Sequence, residues 1–299
     1  MGGDLGALTV VVPTRDRPAL LEGCLAALRG ALRGADRVIV VDSASRSDAT
    51  GRVATAAGFE VIRCDGPGAS RARNLGAVAA STEIVAFVDD DVRVTPGWAE
   101  AIAAAFGPEI SFVTCRTVPP PHQAAAERPV ALKDEPTPAR LDAATTGALG
   151  HGASLAVRRS ALLSLGGFDE RLGPGRWLSA GEDQDLLDRM VTSGLVGRYE
   201  PDALAWHEQW RDRPTLLRLD WNYGKGTGGR LAKLRRSDRR RAVTVAVDAL
   251  WRNGLADAAA CARRGYRFGT LSALARTAGT LAGFPAGLVL LRPPARGGA

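Results

Sequence analysis

The stretch IVAFVDDD, residues 84–91, decides the fold class of this 299-residue chain. Its first five residues form an apolar run without alternation, which is typical of a strand buried on both faces of a parallel sheet. Three carboxylates follow directly at the end of that run. Because open parallel sheets bind ligands beyond the carboxyl ends of their strands, the stretch predicts an α/β sheet with a ligand site at this edge.

Strand and helix patterns alternate on either side of this stretch. Such alternation implies right-handed crossovers, so we predict an α/β fold with a mostly parallel sheet flanked by helices. The predicted strands cover residues 8–12, 37–41, 60–63, 84–88, 110–114, 153–157 and 203–206, and the predicted helices begin at Pro18, Ser47, Ala69, Pro96, Ser160 and Asp183.

The composition changes towards the C-terminus. Six prolines between Val118 and Ala139 predict a loop or lid there. Beyond Glu208 the pattern becomes arginine-rich and helical, so we predict a catalytic domain over residues 1–210 and a basic, mainly helical region over residues 211–299. Residues 266–291 are apolar but contain Arg276 and several helix breakers, which favours a surface-lying or self-packed helix pair over a bilayer span of about 20 residues.

Charge is distributed unevenly along the chain. From Met1 to His207 there are 21 Lys or Arg against 26 Asp or Glu, whereas from Glu208 to Ala299 there are 18 against 6. The two parts are therefore expected to face different partners. One option for the basic part is peripheral docking on the inner face of the cell membrane. The alternative is packing on the catalytic domain or in a homo-oligomer, with the arginines solvated.

Cysteine usage and the N-terminus predict a cytoplasmic protein. The four cysteines stand far apart without a CxxC pattern, which argues against a zinc cluster or a disulfide framework. The first seven residues lack a basic segment followed by an apolar run, so we expect no secretory signal peptide.

The three adjacent carboxylates Asp89, Asp90 and Asp91 predict a metal site. Uncompensated, they would repel one another and raise their own pKa values. A divalent cation removes that repulsion, and hard oxygen ligands suit Mg²⁺ or Mn²⁺ bridging to phosphates. The alternative is a solvated acidic turn.

A second candidate region follows the next strands of the predicted sheet. Asp42 at a strand end can accept hydrogen bonds from a ribose or base edge, or it can cap the next helix. The segment GPGASR, residues 66–71, resembles a dinucleotide fingerprint only superficially, because Arg71 replaces the third glycine. Arg71, Arg73 and Asn74 instead stand on the first turns of a helix, where they could meet a nucleotide or its phosphates.

Seven short motifs stand in order between Val10 and His207. They are VVPTRDRP (11–18), VVDSAS (40–45), SRARNLG (70–76), FVDDDV (87–92), GGFDE (166–170), GEDQDL (181–186) and WH (206–207). This series resembles the inverting family 2 glycosyltransferases with the GT-A fold, over about two thirds of the chain. The family's usual Asp-Asp-Gly-Ser segment reads Asp42-Ser43-Ala44-Ser45 here, which leaves the nucleotide less defined.

The resemblance implies roles for individual residues in binding a nucleoside-diphosphate sugar and a metal. Asp42 would recognise the base of the donor, a UDP-sugar being favoured over GDP- or dTDP-sugars. Asp91 would contact Mn²⁺ or Mg²⁺, with Asp89, in the other outer position of the DxD motif, and His207 as further ligands. The remaining nucleotide-sugar residues would be Pro13, Thr14, Arg15, Arg71, Asn74, Asp89 and Asp90.

The same resemblance implies a catalytic base and an acceptor pocket. Inverting transfer needs a base beside the acceptor hydroxyl, and Asp183 matches the family's base while Glu182 could assist it. The alternative for this pair is an acidic helix start that complements the helix dipole. Phe168 and Asp169 match a sugar-pocket wall, and Trp177 offers either an aromatic platform to the acceptor or ordinary core packing.

Three other function classes compete with a glycosyltransferase. A sugar nucleotidyltransferase would carry a glycine-rich loop after the first strand, where this chain has PTRDRP, residues 13–18. A non-catalytic sugar-nucleotide or membrane-surface binding protein would have lost the base or the metal ligands. Nucleic-acid binding is suggested only by the arginines of residues 235–241, without an accompanying motif. An envelope glycan, a lipid-linked intermediate and a natural product all remain open as the hydroxyl acceptor.

Overall fold

The computed structural model describes residues 6–123 and 132–292. The chain forms two compact units. The sheet unit comprises Met1–Asp169 and Leu186–Trp210, and the helical unit comprises Glu170–Asp185 and Arg211–Ala299. The sequence analysis assigns all of residues 1–210 to one domain, whereas in the structure Glu170–Asp185 groups with the residues after Trp210.

The sheet unit is built on a mixed sheet of nine strands within the described ranges. The strands are β1 Leu8–Thr14, β2 Arg37–Asp42, β3 Glu60–Arg63, β4 Ile84–Val88, β5 Val92–Val94, β6 Ile110–Val118, β7 Ala139–Leu141, β8 Ser154–Arg158 and β9 Val196–His207. Their order is β3-β2-β1-β4-β8-β6-β9-β5, and β7 pairs with β9. β1, β2, β3 and β4 are parallel, β8 is antiparallel to β4 and β6, and β6 runs parallel to β9.

Helices accompany this sheet and bury both of its faces. They are α1 Pro18–Ala31, α2 Ala49–Ala56, α3 Ala69–Ala79, α4 Trp98–Ala105, α5 Arg159–Ser164 and α6 Glu182–Thr192, with a 3₁₀ turn over Pro121–Gln123. Successive residues of β1 point to opposite faces, so Val10 and Val12 join one apolar core and Val11 the other. The α/β fold predicted from unalternating apolar runs is confirmed.

Most predicted elements are present, with some shifted boundaries. The predicted strands over residues 60–63 and 84–88 and the helix over 69–79 are confirmed without change. The helix expected from Pro96 begins at Trp98, because Gly97 adopts a left-handed φ of +85° that an α-helix does not accommodate. Part of the predicted loop, residues 124–131, lies outside the described residues.

The helical unit contains a long helix pair. Its elements are α7 Arg213–Ser237, α8 Arg239–Val247, a π-helical segment Asp248–Ala256, α9 Asp257–Arg263 and α10 Arg267–Leu290. α7 and α10 approach closely because glycines face each other. A Cβ at Gly224 would overlap the carbonyl of Arg276, and a Cβ at Gly228 would overlap the backbone of Thr280. The pairing therefore depends on the absence of side chains on both helices.

The expectation of a surface-lying or self-packed helix pair over residues 266–291 was wrong in the number of helices. The structure has one helix, α10, which continues through Pro285 and takes α7 as its partner. Arg276 is tolerated in this apolar helix because it bonds Asp220 of α7, a buried carboxylate that also accepts a hydrogen bond from Ser272. Among the described residues α10 is the one helix long and apolar enough to span a bilayer, with a mean hydropathy of 1.2 in its most apolar window.

Candidate active site

The acidic cluster lies where the sequence places it, at the carboxyl end of β4. Asp90 is fully buried there. Thr14, at the carboxyl end of the neighbouring strand β1, donates its hydroxyl to Asp90 Oδ2 at 2.7 Å, and Arg17 Nη2 lies 2.9 Å from Asp90 Oδ1. Burial raises the pKa of Asp90 to about 7, and the neighbouring carboxylates act in the same direction while Arg17 opposes them. Asp90 therefore links the ends of β1 and β4 through buried contacts with Thr14 and Arg17.

Asp91 is the meeting point of three other side chains. Its Oδ1 lies 3.3 Å from His207 Nε2, and its Oδ2 accepts a hydrogen bond of 2.9 Å from Trp210 Nε1 and lies 3.5 Å from Arg17 Nη1. Antiparallel pairing of β5 with β9 brings these groups together, since it sets Val92 opposite His207. A carboxylate and an imidazole more than a hundred residues apart thus share one buried corner of the sheet.

Asp89 is held by Arg73, one of the residues expected to meet a nucleotide or its phosphates. Arg73 Nη2 lies 2.6 Å from Asp89 Oδ1, and the Arg73 side chain is almost completely buried. Arg71 lies 3.5 Å from Asp65 and is 40% exposed. Arg73 is therefore part of the acidic cluster, whereas Arg71 stands at the surface of the sheet unit.

Asp42 occupies the equivalent strand end on β2. It is buried, its Oδ2 accepts a hydrogen bond of 2.6 Å from Arg63, and its Oδ1 accepts one of 2.8 Å from the Ser45 backbone. Ala44, where the family motif has glycine, adopts a left-handed φ of +56°. The loop after β2 thus places an alanine in a backbone conformation that glycine adopts more readily.

Three of the proposed nucleotide residues lie on or just after β1. Pro13 and Thr14 are buried at the end of the strand, and Thr14 is already engaged with Asp90. Arg15 follows them, with its Nε 3.6 Å from Asp16 and its side chain 38% exposed. Arg15 is the member of this group with side-chain surface to offer a ligand.

Two of the proposed site residues have structural contacts instead. The amide of Asn74 donates to the Phe168 carbonyl at 2.9 Å and accepts from the Phe168 backbone N–H at 2.8 Å. The Phe168 ring is buried, packs edge-on against Phe87 with 5.1 Å between ring centroids, and carries Arg73 at 5.4 Å. We correct the expectation for Phe168, because a ring inside the core cannot form a wall of a sugar pocket. Asp169 beside it is half-buried.

The acidic pair Glu182 and Asp183 forms the first turn of α6, in the helical unit. Glu182 and Asp185 are buried, and Asp185 Oδ1 lies 2.6 Å from Lys233 of α7. Asp183 is half-buried and accepts a hydrogen bond of 2.7 Å from the Gln184 backbone. Of these three carboxylates Asp183 is the one that keeps side-chain surface exposed.

Trp177 belongs to the same unit and is not a core residue. It is 51% exposed, and Lys225 Nζ lies 5.0 Å from its ring centroid. Partial burial lowers the pKa of Lys225. This exposure rules out ordinary core packing for Trp177, and its role as an aromatic platform for the acceptor stays a prediction.

Asp91 and His207 are the side chains of this buried corner that suit a divalent cation. Within residues 6–123 and 132–292 no three His, Cys, Asp or Glu side chains are grouped closely enough to hold one on their own. Mg²⁺-type ions in phosphate-transfer sites are commonly held by one or two protein groups together with substrate phosphates. Asp91 and His207 fit that kind of site, and buried His207 Nδ1 has no hydrogen-bond partner in the described part of the chain.

Two residues of this cluster were missed by sequence reasoning. Arg17 contacts both Asp90 and Asp91, and its guanidinium lies 5.7 Å from the Trp210 ring centroid. Arg17 stands inside the motif of residues 11–18 and could have been selected from it. Trp210 has no sequence signal beyond its position three residues after His207.

Comparisons with known proteins identify the family of this chain. The model of glycosyl transferase family 2 matches residues 9–162. A pre-mycofactocin glycosyltransferase of Mycobacterium tuberculosis is 36% identical over 229 residues, which are 72% of this chain and 44% of that protein. An uncharacterised glycosyltransferase of Mycobacterium bovis is 30% identical over 240 residues, which are 77% of this chain and 90% of that protein. The chain thus spans less than half the length of the first relative.

Solved structures show the same fold. A mannosyltransferase from Pyrobaculum calidifontis, in complex with GDP-mannose and Mn²⁺, has a TM-score of 0.68 at 18% identity and covers 93% of this chain and 87% of that one. S. aureus TarS, residues 1–349, has a TM-score of 0.58 at 15% identity, covering 94% and 90%. The chain belongs to glycosyl transferase family 2 and has the GT-A fold.

Proposed function

We propose that this glycosyl transferase family 2 member moves a sugar, with inversion, from a nucleoside-diphosphate sugar to an acceptor hydroxyl, and that it requires Mn²⁺ or Mg²⁺. The observation that carries the proposal is the buried corner of Asp91, His207 and Trp210 at the carboxyl edge of the sheet. Carboxylates cluster there although they repel one another, which is the arrangement expected of a cation and diphosphate site.

The donor nucleotide is assigned to the strand ends of β1, β2 and β4. Asp42, held by Arg63, would meet the base edge. Arg15 and Arg71 keep exposed guanidinium surface that can meet the diphosphate. We favour a UDP-sugar, with GDP- and dTDP-sugars as the alternatives. The Mn²⁺ and GDP-mannose bound by the Pyrobaculum mannosyltransferase support the class of donor and of cation.

The cation would be held by Asp91 and His207, with Asp89 in support. When bound, it supplies charge neutralisation for the diphosphate that leaves the sugar. Trp210 and the backbone contact between Glu208 N–H and the Asp91 carbonyl, 2.9 Å long, hold the Asp91 side of this pair in position. Arg17, which contacts Asp90 and Asp91, and Arg73, which contacts Asp89, are positive charges already present in the cluster.

The acceptor is activated by Asp183 in this proposal. The acceptor hydroxyl gives its proton to the Asp183 carboxylate while its oxygen bonds to the anomeric carbon, and the bond from that carbon to the nucleoside diphosphate breaks. Lys233 engages Asp185, and Glu182 is buried, so neither matches the exposure of Asp183. Glu182 then assists from the same helical turn.

Trp177 would bind the acceptor. Its exposed ring offers an apolar face of the kind on which sugars and other ring systems pack, and Lys225 beside it adds positive charge. The hydroxyl acceptor would be an envelope glycan, a lipid-linked intermediate or a natural product.

We also propose a cytoplasmic enzyme whose helical unit contacts the inner face of the cell membrane. The 18 basic against 6 acidic residues after His207 support this placement, because juxtamembrane cations are attracted to anionic leaflets. α10 adds an outer face on which Leu271, Leu274, Leu281 and Val289 are exposed.

A donor screen tests the proposed reaction. Nucleoside-diphosphate release is measured from UDP-, GDP- and dTDP-sugars, each with Mn²⁺ and with EDTA, and the anomeric configuration of the product is read by NMR. We expect one nucleotide class to react, only with metal, and to give the inverted anomer. A retained configuration, or equal rates in EDTA, would contradict the proposal.

A further inference from the structure

A row of exposed residues follows every fourth position of the helical unit from α8 to α9. Its apolar members are strongly exposed: Val243 is 63% exposed, Val247 44%, Trp251 61% and Leu255 49%. The complete row, all of it exposed, is Arg239, Val243, Val247, Trp251, Leu255, Ala259 and Arg263. We call these seven residues the arginine-ended row.

The π-helical segment Asp248–Ala256 keeps this row on one side of the helix. In an α-helix, with 3.6 residues per turn, every fourth residue advances slightly past a full turn, so a row at this spacing winds around the surface. A π-helix has more than four residues per turn, and the same spacing there falls short of a full turn. The two drifts oppose each other. Gly254, one position before Leu255, is buried against Thr277 of α10, so the side of the helix next to the row has a packing partner.

The charge around the row is strongly positive. Residues 235–267 carry nine arginines against three aspartates. All three aspartates have local partners: Asp248 pairs with Arg252 at 2.8 Å, Asp238 accepts the Arg241 backbone N–H at the start of α8, and Asp257 accepts from the Cys261 thiol. Exposed arginines next to the two ends of the row are Arg240 and Arg264. An occupant of this surface therefore has to be apolar in the middle and negatively charged at both ends.

A second copy of this chain does not meet that requirement. The row has an arginine at each end, so self-pairing places arginine opposite arginine whether the two rows run parallel or antiparallel. A bilayer surface meets it. Acyl chains and the glycerol region receive Trp, Leu and Val, while headgroup phosphates pair with arginines that extend from the helix.

We infer that the arginine-ended row is the surface through which this enzyme lies on an anionic bilayer, with the α8–α9 helix parallel to the membrane plane. The inference rests on the proposed membrane contact and assigns it to particular residues. Trp251 and Leu255 enter the interface, and Arg239 and Arg263 bind headgroups on either side.

The experiment is vesicle co-sedimentation of the full chain. Vesicles of equal phosphatidylcholine and phosphatidylglycerol are compared with vesicles of phosphatidylcholine alone, at low and high salt. We expect the wild type to bind the anionic vesicles, with binding that falls as salt rises. The double variant Trp251→Ser/Leu255→Ser should bind at least about tenfold more weakly. The double variant Arg239→Gln/Arg263→Gln should lose about fivefold per arginine at low salt and much less at high salt.

Matched controls alter exposed residues of the sheet unit. Val78→Ser changes an apolar side chain that is 60% exposed, and Arg37→Gln/Arg52→Gln removes two charges. Both should bind vesicles as the wild type does. Circular dichroism verifies that each variant is folded, and nucleoside-diphosphate release without vesicles should be unchanged by the row variants.

Several outcomes would overturn the inference. One is a folded wild type that does not bind anionic vesicles at low salt. Another is row variants that bind vesicles like the controls. A third is a wild type that is a dimer and does not bind vesicles, and that Trp251→Ser/Leu255→Ser converts to a monomer. Loss of donor turnover with intact, row-dependent vesicle binding would instead contradict the proposed reaction and leave this surface standing.

Discussion

The sheet unit and the helical unit use polar residues in opposite ways. In the sheet unit carboxylates are buried at strand ends, and each is held by a specific partner, as Asp90 is by Thr14 and Arg17. In the helical unit two long helices pack through facing glycines, and most arginines lie outside. The site in the sheet unit depends on polar side chains and their partners. The packing of α7 against α10 depends on glycines, which have no side chain to separate the helices.

This difference predicts different responses to substitution. Removing a carboxylate of the buried acidic cluster of the sheet unit should leave a folded protein without activity, because the strands themselves are apolar and remain packed. Adding a single carbon between α7 and α10 should disturb folding of the helical unit. The predictions below test this contrast.

The largest effect is expected for Asp91→Asn. The variant loses the negative charge that would hold the cation, and several kcal/mol of transition-state charge stabilisation correspond to a fall in turnover of roughly 10³-fold or more. Initial rates of nucleoside-diphosphate release measure it. Asp48→Asn, at a carboxylate that is 73% exposed, serves as the control and should keep wild-type rates. An equal loss of turnover in Asp91→Asn and Asp48→Asn would contradict a specific role of Asp91 in metal binding.

A smaller kinetic effect is expected for Asp183→Asn. Without a base the acceptor hydroxyl is a weaker nucleophile, so turnover should fall by roughly 10²-fold or more while donor affinity stays within a small factor of wild type. Turnover is measured from initial rates with the true acceptor, and donor affinity is measured by calorimetric titration. Near-normal turnover would transfer the role to Glu182 or Asp185.

The glycine contact of the helical unit is tested by Gly228→Ala. The new Cβ would overlap the backbone of Thr280 and Phe284, so the helices must separate, at a cost of roughly 1–3 kcal/mol in the free energy of unfolding. Gly30→Ala is the matched control, because nothing lies within 4 Å of a Cβ there in α1. Since alanine favours helix, the control should gain about 0.5–1 kcal/mol. Equal changes in the two midpoints of urea unfolding would refute the close contact.

The smallest effect is expected at Ala44 in the sheet unit. Its left-handed φ of +56° disfavours residues with a Cβ, so Ala44→Gly should raise the free energy of unfolding by roughly 0.5–1 kcal/mol. Ala104→Gly in α4 should lower it by about 1 kcal/mol, because that residue is helical and exposed. A destabilised Ala44→Gly variant would show that the loop after β2 does not carry this strain.

Local patterns were sufficient for most of the sheet but not for the contacts of the site. The run at residues 84–88 and its three aspartates predicted the sheet edge directly. β5, Val92–Val94, was missed because three residues after an acidic turn carry no usable periodicity. That strand pairs with β9 and so brings His207 to Asp91, which is why His207 was selected through the family resemblance and not from its own surroundings.

The errors have similar physical causes. Phe168 was expected in a pocket wall because an aromatic residue in a loop motif suits both a pocket and a core, and only the contact with Phe87 decides between them. Arg71 and Arg73 were both predicted to meet a nucleotide or its phosphates, but they are two positions apart on α3 and therefore face different sides. In the structure Arg73 contacts Asp89 and Arg71 contacts Asp65. The contact between Trp210 and Asp91 could not be predicted from local sequence, because it depends on where the fold places the chain after β9.

Metal-dependent nucleotide binding tests the central claim most directly. UDP, GDP and dTDP are titrated calorimetrically into the wild type and into Asp91→Asn, each with Mn²⁺ and with EDTA, and Asp48→Asn is run alongside. We predict that one nucleotide binds the wild type and the control tightly only with Mn²⁺, and that Asp91→Asn shows the same weak binding in both conditions. Equal affinity of the wild type in Mn²⁺ and in EDTA, or an Asp91→Asn variant that keeps the full Mn²⁺ effect, would contradict it.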